Sequence, residues 1–486
     1  MNRAIGRVAM AVIVLLLLLV GQLTYLQVID ANTLANDPRN TRTYLKDFTR
    51  PRGEIISADG KVLARSVPSK DEYELQRVYP YGELFAQTVG YQSVVVGSTG
   101  VENAYSAVLS GRDRSHLRLR DLGDLLLGKE QTGNVVLSLR VDATLVAKSA
   151  LGNQQGSVVV MDPKTGAIVA MYSNPSFDPQ PLAGHDPKAV QAYWQLLQPN
   201  SPDSALLPRA YRQRYPPGST FKIATTEAAL DTGTATPAST FPFRTSITPP
   251  QAGRPIANFG GENCGGTLEE SFVESCNTTF AQLGLDLGEK FPPRLSGFGI
   301  YSTPPLDLSP GAALSSGPTP GTFEQNKPIF ALAGIGQGEV AATPLQMALV
   351  GSAVANGGTV MRPHVAAEVR DPDGRTLSTI AAKPWKVAMP PATASTITGF
   401  MEQVVARGTG TAGQIAGVTV AGKTGTAQSC DTCSPHAWFV AFAPAEAPQY
   451  AVAVFVERGG NLGSEATGGH VAAPIAAKVL KFLLGK

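Results

Sequence analysis

The chain has 486 residues, enough for two or three folding units, and with 43% hydrophobic and 16% charged residues it is not a disordered polyelectrolyte. Forty Lys and Arg residues against 38 Asp and Glu leave a scattered net charge of +2, which gives no support for a nucleic-acid partner. The 50 glycines and 37 prolines predict long ordered loops, and the five His and four Cys are too dispersed to suggest a metal centre.

The N-terminus carries a candidate membrane anchor. Residues 8–26 read VAMAVIVLLLLLVGQLTYL, an uncharged run preceded by two arginines. A cleaved signal peptide is the alternative, but its apolar region is shorter and ends at a small-x-small site, which residues 22–29 do not offer. We therefore expect residues 1–7 to form a cytoplasmic tail, residues 8–28 an uncleaved anchor, and the rest to lie outside the cytoplasmic membrane.

Residues 29–152 are richer in charge than the rest of the chain and are predicted to form a separate N-terminal pedestal domain. Near its end, residues 135–141 alternate like a strand, and Asp142 then caps a stretch of helix-favouring residues. The larger domain, residues 153–486, follows. It opens with two apolar strands within residues 156–172, joined by a turn that ends in a glycine.

The middle and end of the larger domain differ in pattern. The sequence YPPG precedes a predicted helix that begins at Ser219 and ends near Gly233. Towards the C-terminus, VTVAGKTGTAQ, HAWFVAFAP and QYAVAVFVE read as consecutive antiparallel strands, closed by a helix over about residues 471–484. A hairpin early, helices in the middle and strands late predict an α+β domain with an antiparallel sheet flanked by helices.

The first candidate chemical motif is the tetrad SxxK, formed by Ser219 and Lys222. The chain contains no HExxH, GxxxxGK[ST] or GxSxG pattern. On a helix, positions i and i+3 share a face, so Lys222 is expected beside the Ser219 hydroxyl; burial would lower the pKa of its amine and let it take the serine proton. The tetrad alone is weak evidence, because an N-cap serine followed by a surface lysine gives the same pattern.

A second motif, Ser275-Cys276-Asn277, follows Ser219 by 56 residues. Ser275 can pass a proton between the lysine and a leaving group, and Asn277 can hold a substrate amide. Read alone, the same three residues are a helix cap.

The third motif, KTGT, comprises Lys423, Thr424, Gly425 and Thr426 on a predicted strand. Lys423 supplies positive charge near a substrate carboxylate, and the two threonines add hydroxyl donors. Gly425 lets a substrate backbone lie close to the strand edge. Alone, this motif is a strand end with a turn, but the order SxxK, SxN, KTGT in one exported chain is specific.

This order of motifs resembles that of the penicillin-binding proteins. The likeness extends to residues 50–66 (RPRGEIISADGKVLARS), 97–111 (GSTGVENAYSAVLSG) and 161–171 (MDPKTGAIVAM), which resemble segments of class B members, most of all their actinobacterial A type. The resemblance implies a transpeptidase domain like that of penicillin-binding proteins and serine β-lactamases, set on the N-terminal pedestal behind one transmembrane helix.

The resemblance also implies an activity. Such a D,D-transpeptidase joins the penultimate D-Ala of one peptidoglycan stem peptide to an amine of another through an acyl-serine, needs no cofactor or metal, and is acylated by β-lactams. The resemblance assigns catalytic roles to Ser219, Lys222, Ser275, Asn277 and Lys423, and substrate binding to Thr424, Gly425 and Thr426. The oxyanion hole would use the backbone N–H groups of Ser219 and Thr426.

The space between anchor and transpeptidase leaves no room for a glycosyltransferase domain, so we expect a monofunctional enzyme without C-terminal PASTA repeats. For this family, the implied partner is a SEDS-type membrane glycosyltransferase, and the A-type likeness favours a role in division. One alternative is a membrane-anchored D,D-carboxypeptidase or β-lactamase, which usually lacks such a pedestal. Another is a β-lactam receptor, which needs a larger cytoplasmic part than the seven residues before the anchor.

The four cysteines are Cys264, Cys276, Cys430 and Cys433. In an exported chain they allow three disulfide connectivities. We predict a local bridge between Cys430 and Cys433 beside the KTGT strand, with a Cys264–Cys276 bridge as the less firmly supported pair. A zinc site or a thioredoxin-like pair are the alternatives for Cys430 and Cys433, but no second CxxC and no redox βαβ pattern accompanies them.

Overall fold

The computed structural model describes residues 2–30, 48–113, 132–428 and 433–486. A long N-terminal helix, α1 (Asn2–Thr24), continues as a π-helical turn at Tyr25–Ile29. The stretch Ile5–Gln27 is long and apolar enough to cross a membrane, and none of it is buried inside the structure. The predicted anchor is therefore a candidate membrane span that stands apart from the folded domains.

The N-terminal unit that follows is built from short elements. These are β1 (Ile55–Ile56), β2 (Val62–Pro68), β3 (Leu75–Val78), β4 (Gln92–Ser93), β5 (Gly97–Ser98), α2 (Gly100–Ala104), α3 (Ser106–Leu109) and β6 (Asn134–Leu137). A buried ion cluster lies at its centre, where Glu102 accepts hydrogen bonds of 2.7 Å from Arg52 and Arg77. The paired guanidinium groups hold the pKa of Glu102 below its usual value despite its burial.

The remainder of the chain forms a larger body of strands and helices. Its strands are β7 (Gly156–Met161), β8 (Ile168–Asn174), β9 (Thr240–Arg244), β10 (Ser246–Ile247), β11 (Ile256–Ala257), β12 (Cys264–Thr267), β13 (Thr359–Met361), β14 (Ala366–Arg370), β15 (Thr376–Thr379), β16 (Pro384–Val387), β17 (Ala421–Ala427), β18 (His436–Ala443) and β19 (Tyr450–Val456). Its helices are α4 (Val141–Leu151), α5 (Pro187–Leu196), α6 (Lys222–Asp231), α7 (Leu268–Val273), α8 (Asn277–Leu287), α9 (Phe291–Gly297), α10 (Lys327–Gly334), α11 (Pro344–Ala355), α12 (Pro391–Arg407) and α13 (Ala473–Leu483).

The central sheet of the larger body is antiparallel, with the strand order β17-β18-β19-β7-β8. All eight residues of β18 are buried, because helices cover both faces of the sheet. Helices α4 and α13 pack against each other and against the sheet, and α11 packs on β19 and β7. This architecture confirms the predicted α+β class, and the three C-terminal strands and the closing helix form where the sequence pattern places them.

The hairpin β14–β15 belongs to a different sheet. It extends the pedestal sheet, whose order is β15-β14-β6-β1-β2-β3, and Val369 of β14 lies opposite Val135 of β6. In sequence the hairpin lies far inside the predicted transpeptidase domain. Residues from both sides of the predicted boundary at residue 153 therefore build one sheet.

Close helix packing sets the position of the second motif. A side chain on Gly284 of α8 would come within 2.2 Å of the Phe330 carbonyl oxygen of α10, and one on Gly334 within 2.1 Å of the Phe280 carbonyl oxygen. The two helices thus touch through their backbones, which only glycine allows. This contact fixes α8, whose first residue is Asn277.

Candidate active site

Ser219 lies in the 3-10 turn Gly218–Phe221, which leads directly into helix α6. The turn is held against strand β17, since a side chain on Gly218 would come within 2.5 Å of the Thr426 carbonyl oxygen. On its other side, the Gly218 N–H donates to the Gly336 carbonyl at 3.0 Å. Ser219 is partly exposed, and its hydroxyl makes no hydrogen bond to any residue that the structure describes.

Lys222 is the first residue of α6 and is fully buried. Its Nζ lies 2.6 Å from the Ser275 carbonyl oxygen, 3.2 Å from Ser275 Oγ and 2.9 Å from Asn277 Oδ1. Burial holds the pKa of Lys222 well below its usual value, and the charge of Lys423 lowers it further. The amine is therefore suited to act as a base at neutral pH.

The second motif forms the link between α7 and α8. Ser275 has a φ of +63°, in the left-handed region that a serine adopts only at a cost of about 1–3 kcal/mol. Cys276 is buried and forms a disulfide with Cys264 at the start of β12. Asn277 donates to the Ala257 carbonyl at 2.9 Å while its Oδ1 faces Lys222. The surrounding structure thus holds Ser275 in a strained conformation with its hydroxyl between two amines.

The second of these amines belongs to Lys423, which is fully buried on β17. Its Nζ donates to Ser275 Oγ at 2.9 Å and lies 5.5 Å from the centre of the Phe272 ring. Burial lowers the pKa of Lys423 to about 7, and the negative charge of Glu274 opposes that shift. With a pKa of about 7, Lys423 changes its charge near neutral pH.

Strand β17 is the first strand in the order of the central sheet, and among the described residues no strand pairs with its edge opposite β18. An extended peptide could add to such an edge. Gly425 faces the turn that carries Ser219, because a side chain there would come within 2.8 Å of the Pro217 carbonyl oxygen. Thr424 is largely buried, with its hydroxyl 2.6 Å from that of Thr409. The Thr426 hydroxyl accepts a weak hydrogen bond from the Gly468 N–H at 3.4 Å.

Four of the residues predicted from the sequence thus form one hydrogen-bonded group: Lys222, Ser275, Asn277 and Lys423. The turn that carries Ser219 lies next to this group, because Gly218 packs against Thr426 on the same strand as Lys423. Lys222 has three polar partners, and Ser219 is not among them, so their direct contact stays a prediction. Across the described parts of the chain, no cluster of three or more His, Cys, Asp or Glu side chains is arranged to hold a metal ion.

Three supporting residues have no motif that would reveal them. Thr409, Gly336 and Trp438 lie outside the three motifs in sequence, and Trp438 donates from its indole to the Pro216 carbonyl at 3.0 Å. Only the predicted pairing of the strand HAWFVAFAP with the KTGT strand points to Trp438, which lies opposite Gly425.

The cysteine predictions have separate outcomes. The Cys264–Cys276 bridge is confirmed, with 5.5 Å between the two Cα atoms. Cys433 is disulfide-bonded. Its predicted partner Cys430 lies outside the described residues, so that pairing stays a prediction.

Known proteins share this architecture. Residues 156–481 match the penicillin binding protein transpeptidase domain, and residues 52–136 match the penicillin binding protein A dimerisation domain. The peptidoglycan D,D-transpeptidase PbpA of Mycolicibacterium smegmatis is 41% identical over 98% of this chain and 97% of its own length. The corresponding protein of Mycobacterium tuberculosis is 38% identical over 100% of this chain and 99% of its own length.

Solved structures give the same result. The ceftriaxone acyl-enzyme complex of penicillin-binding protein A from M. tuberculosis superposes with a TM-score of 0.83 at 37% identity, covering 90% of this chain and 99% of that one. A penicillin G acyl-enzyme complex of the same protein superposes with a TM-score of 0.81 at 37% identity, over 90% of this chain and 100% of that one. The domains match, the relatives match over their full length, and hydrogen bonds join residues of all three motifs. The chain therefore belongs to the transpeptidase family of the penicillin-binding proteins.

Proposed function

We propose that this chain is a monofunctional peptidoglycan D,D-transpeptidase that cross-links stem peptides through an acyl-enzyme at Ser219 and is covalently inhibited by β-lactams at the same residue. The observation that carries the proposal is the pair of buried amines, Lys222 and Lys423, that meet at the Ser275 hydroxyl. This group lies against the turn that presents Ser219 beside an open strand edge.

In the acylation step, Ser219 Oγ attacks the carbonyl carbon of the penultimate D-Ala, and its proton passes to the neutral amine of Lys222. The resulting oxyanion is stabilised by the backbone N–H groups of Ser219 and Thr426. As the intermediate collapses, the bond to the terminal D-Ala breaks. The leaving amine receives the proton from Lys222 through the hydroxyl of Ser275.

Deacylation follows the steps of acylation in reverse order. The amine of a neighbouring stem peptide attacks the ester carbonyl, and its proton returns through Ser275 to Lys222 as the new amide forms. The bond to Ser219 Oγ breaks, and the oxygen recovers a proton from Lys222. Donor and acceptor amines thus use the same proton path, which is what an acyl transfer between two peptides needs.

Substrate binding uses the rest of the group. The charge of Lys423 and the hydroxyls of Thr424 and Thr426 bind the terminal carboxylate, and Asn277 holds a substrate amide. The donor peptide lies along the edge of β17 opposite β18, and Gly425 lets the turn that carries Ser219 pack directly against that strand.

The cellular setting follows from the remaining features. In this proposal, the candidate span anchors the protein and the catalytic domain lies on the outer side of the cytoplasmic membrane. The Cys264–Cys276 disulfide supports this location, because disulfides persist in oxidising compartments. A SEDS-type glycosyltransferase, contacted through the anchor and the pedestal, supplies the glycan strands, and the enzyme acts at division. Imaging of a fluorescent fusion in growing cells tests this role, and a signal spread evenly over the wall would contradict it.

Intact-mass spectrometry after incubation with penicillin G tests the chemistry. The wild type should gain one drug mass in a long-lived adduct, and Ser219→Ala should gain none because no oxygen remains to bond the acyl carbon. Lys222→Ala should slow acylation by about 10²–10⁴-fold, since the nucleophile remains but its base is lost.

Circular dichroism provides the folding control for both variants. A folded Ser219→Ala protein that still gains the drug's mass would refute the assignment of the nucleophile. An adduct that hydrolyses within seconds would indicate a β-lactamase instead.

A further inference from the structure

The turn after helix α12 brings a third threonine to the KTGT strand. Thr409 is exposed, and its hydroxyl oxygen lies 2.6 Å from that of Thr424. Thr424 itself is only 6% exposed. The two hydroxyls therefore form a pair in which the inner member is shielded from water and the outer member is accessible.

The backbone around Thr409 is tightly held. A side chain on Gly408 would come within 2.7 Å of Val273, and one on Gly469 within 2.4 Å of the Thr409 carbonyl oxygen. The Gly410 N–H donates to the Val404 carbonyl at 3.0 Å. The turn therefore packs between α7, which leads to Ser275, and the π-helical turn Gly468–Ala472, which contacts β17. This packing holds the Thr409 hydroxyl at a defined place.

The direction of the hydrogen bond decides what the pair can do. A hydroxyl donates one hydrogen bond and accepts up to two, whereas a carboxylate only accepts. If Thr424 donates to a substrate carboxylate, its oxygen is left to accept, and Thr409 is the donor in reach. A chain from Thr409 through Thr424 to the carboxylate also polarises the second donor, which strengthens its bond.

We propose that Thr409 is a positioning residue that donates its hydroxyl hydrogen to Thr424 and so directs the Thr424 hydroxyl at the terminal carboxylate of the substrate. This inference rests on the proposed function. It deepens that function by adding to carboxylate recognition a residue that lies outside the three motifs.

Replacement of Thr409 by valine keeps the shape of the side chain and removes the donor. Thr409→Val should slow acylation by penicillin G about tenfold in second-order rate. The rate with penicillin G methyl ester, whose carboxylate is masked, should change less than about twofold, since a neutral ester gains little from the polarised donor. Thr409→Ser, which retains the hydroxyl, should return the penicillin G rate to near the wild-type value.

Thr411→Val is the matched control. Thr411 is exposed in the same loop, and its side chain has no hydrogen-bond partner in the described part of the chain, so both rates should stay as in the wild type. On a Thr424→Val background, Thr409→Val should add no further loss, because the residue through which it acts is gone.

Three results would overturn the inference: an unchanged penicillin G rate in Thr409→Val, an equal loss with acid and ester, or no rescue by serine. An equal loss would show a structural role for the turn. These outcomes are distinct from failure of the proposed function, which would appear as a wild-type protein that gains no drug mass at Ser219.

Discussion

The hydroxyl of Ser275 is the point where the two buried amines of the site meet. A neutral amine has two hydrogens and one lone pair, and the three polar partners of Lys222 match that set: the Ser275 carbonyl and Asn277 Oδ1 accept the two hydrogens, and the Ser275 hydroxyl faces the lone pair. Lys423, by contrast, donates to Ser275 Oγ. The geometry therefore suits a neutral Lys222 beside a charged Lys423.

The charge states of these lysines predict how acylation depends on pH. Lys222 must be neutral to accept a proton, so the acylation rate rises with pH through its strongly lowered pKa. Lys423 must be protonated to attract the carboxylate, so the rate falls as pH rises through about 7, where burial has placed its pKa. The penicillin G acylation rate measured from pH 5 to 10 should therefore be bell-shaped.

Lys423→Arg separates the two limbs of that profile. A guanidinium stays protonated over the whole range, so this variant should keep the rising limb and lose the fall near pH 7. Thermal unfolding of both proteins at each pH serves as the control for folding. Identical falling limbs in the two proteins would assign that limb to another group.

Among the elements, the disulfide has the most direct connection to the chemistry. Cys264 on β12 is tied to Cys276, which lies between Ser275 and Asn277, and the bridge closes a loop with a sequence separation of 12. A cross-link that closes a loop of this size stabilises a fold by about 3 kcal/mol. It also limits the movement of a link that already holds Ser275 in a left-handed conformation.

Replacement of both cysteines, Cys264→Ser with Cys276→Ser, should lower the melting temperature and slow acylation by penicillin G, because Ser275 is then held less firmly. Differential scanning calorimetry and intact-mass kinetics measure the two effects. Reductant added to the double variant is the control, since any further change then comes from the bridge of Cys433. A double variant as fast and as stable as the wild type would show that the disulfide has no part in positioning Ser275.

The sequence predicted those elements whose signals are local. Strand β17 follows from its apolar pattern, and the motifs follow from their order, since each can be read within a dozen residues. The left-handed Ser275 and the contact of Thr409 with Thr424 depend on packing between α7, α12 and β17, for which no local pattern exists. The same limit applies to Cys264 and Cys276, whose bridge the sequence could only offer as one of three connectivities.

At the scale of the whole molecule, the pedestal and the transpeptidase body share one sheet. Strand β14 pairs with β6 across more than two hundred residues of sequence, a distance over which hydrophobic periodicity carries no information. Asp307 strengthens this junction, accepting from Tyr105 of the pedestal at 2.8 Å and from the Val365 N–H at 2.7 Å. A boundary at residue 153 therefore describes the order of the chain but does not separate two independent sheets.

Two truncations test this organisation. Removal of residues 1–29 should give a soluble protein that forms the penicillin G adduct at the wild-type rate, because no part of Ile5–Gln27 is buried inside the structure. Removal of residues 1–152 deletes β6 and α4, which leaves the edge of β14 unpaired and uncovers apolar surface on β8 and α13. This shorter protein should aggregate, since unpaired strand edges and exposed apolar faces promote association.

Both outcomes are measured by soluble yield, by melting temperature and by intact mass after incubation with penicillin G. The Ser219→Ala substitution in the protein that lacks residues 1–29 shows whether the adduct forms at the proposed residue. If the anchor contributed to chemistry, a folded protein lacking residues 1–29 would fail to react. If the shared sheet were dispensable, residues 153–486 would be soluble and acylated like the wild type. The expected contrast arises because the span makes no buried contact, whereas β6 supplies the strand on which β14 depends.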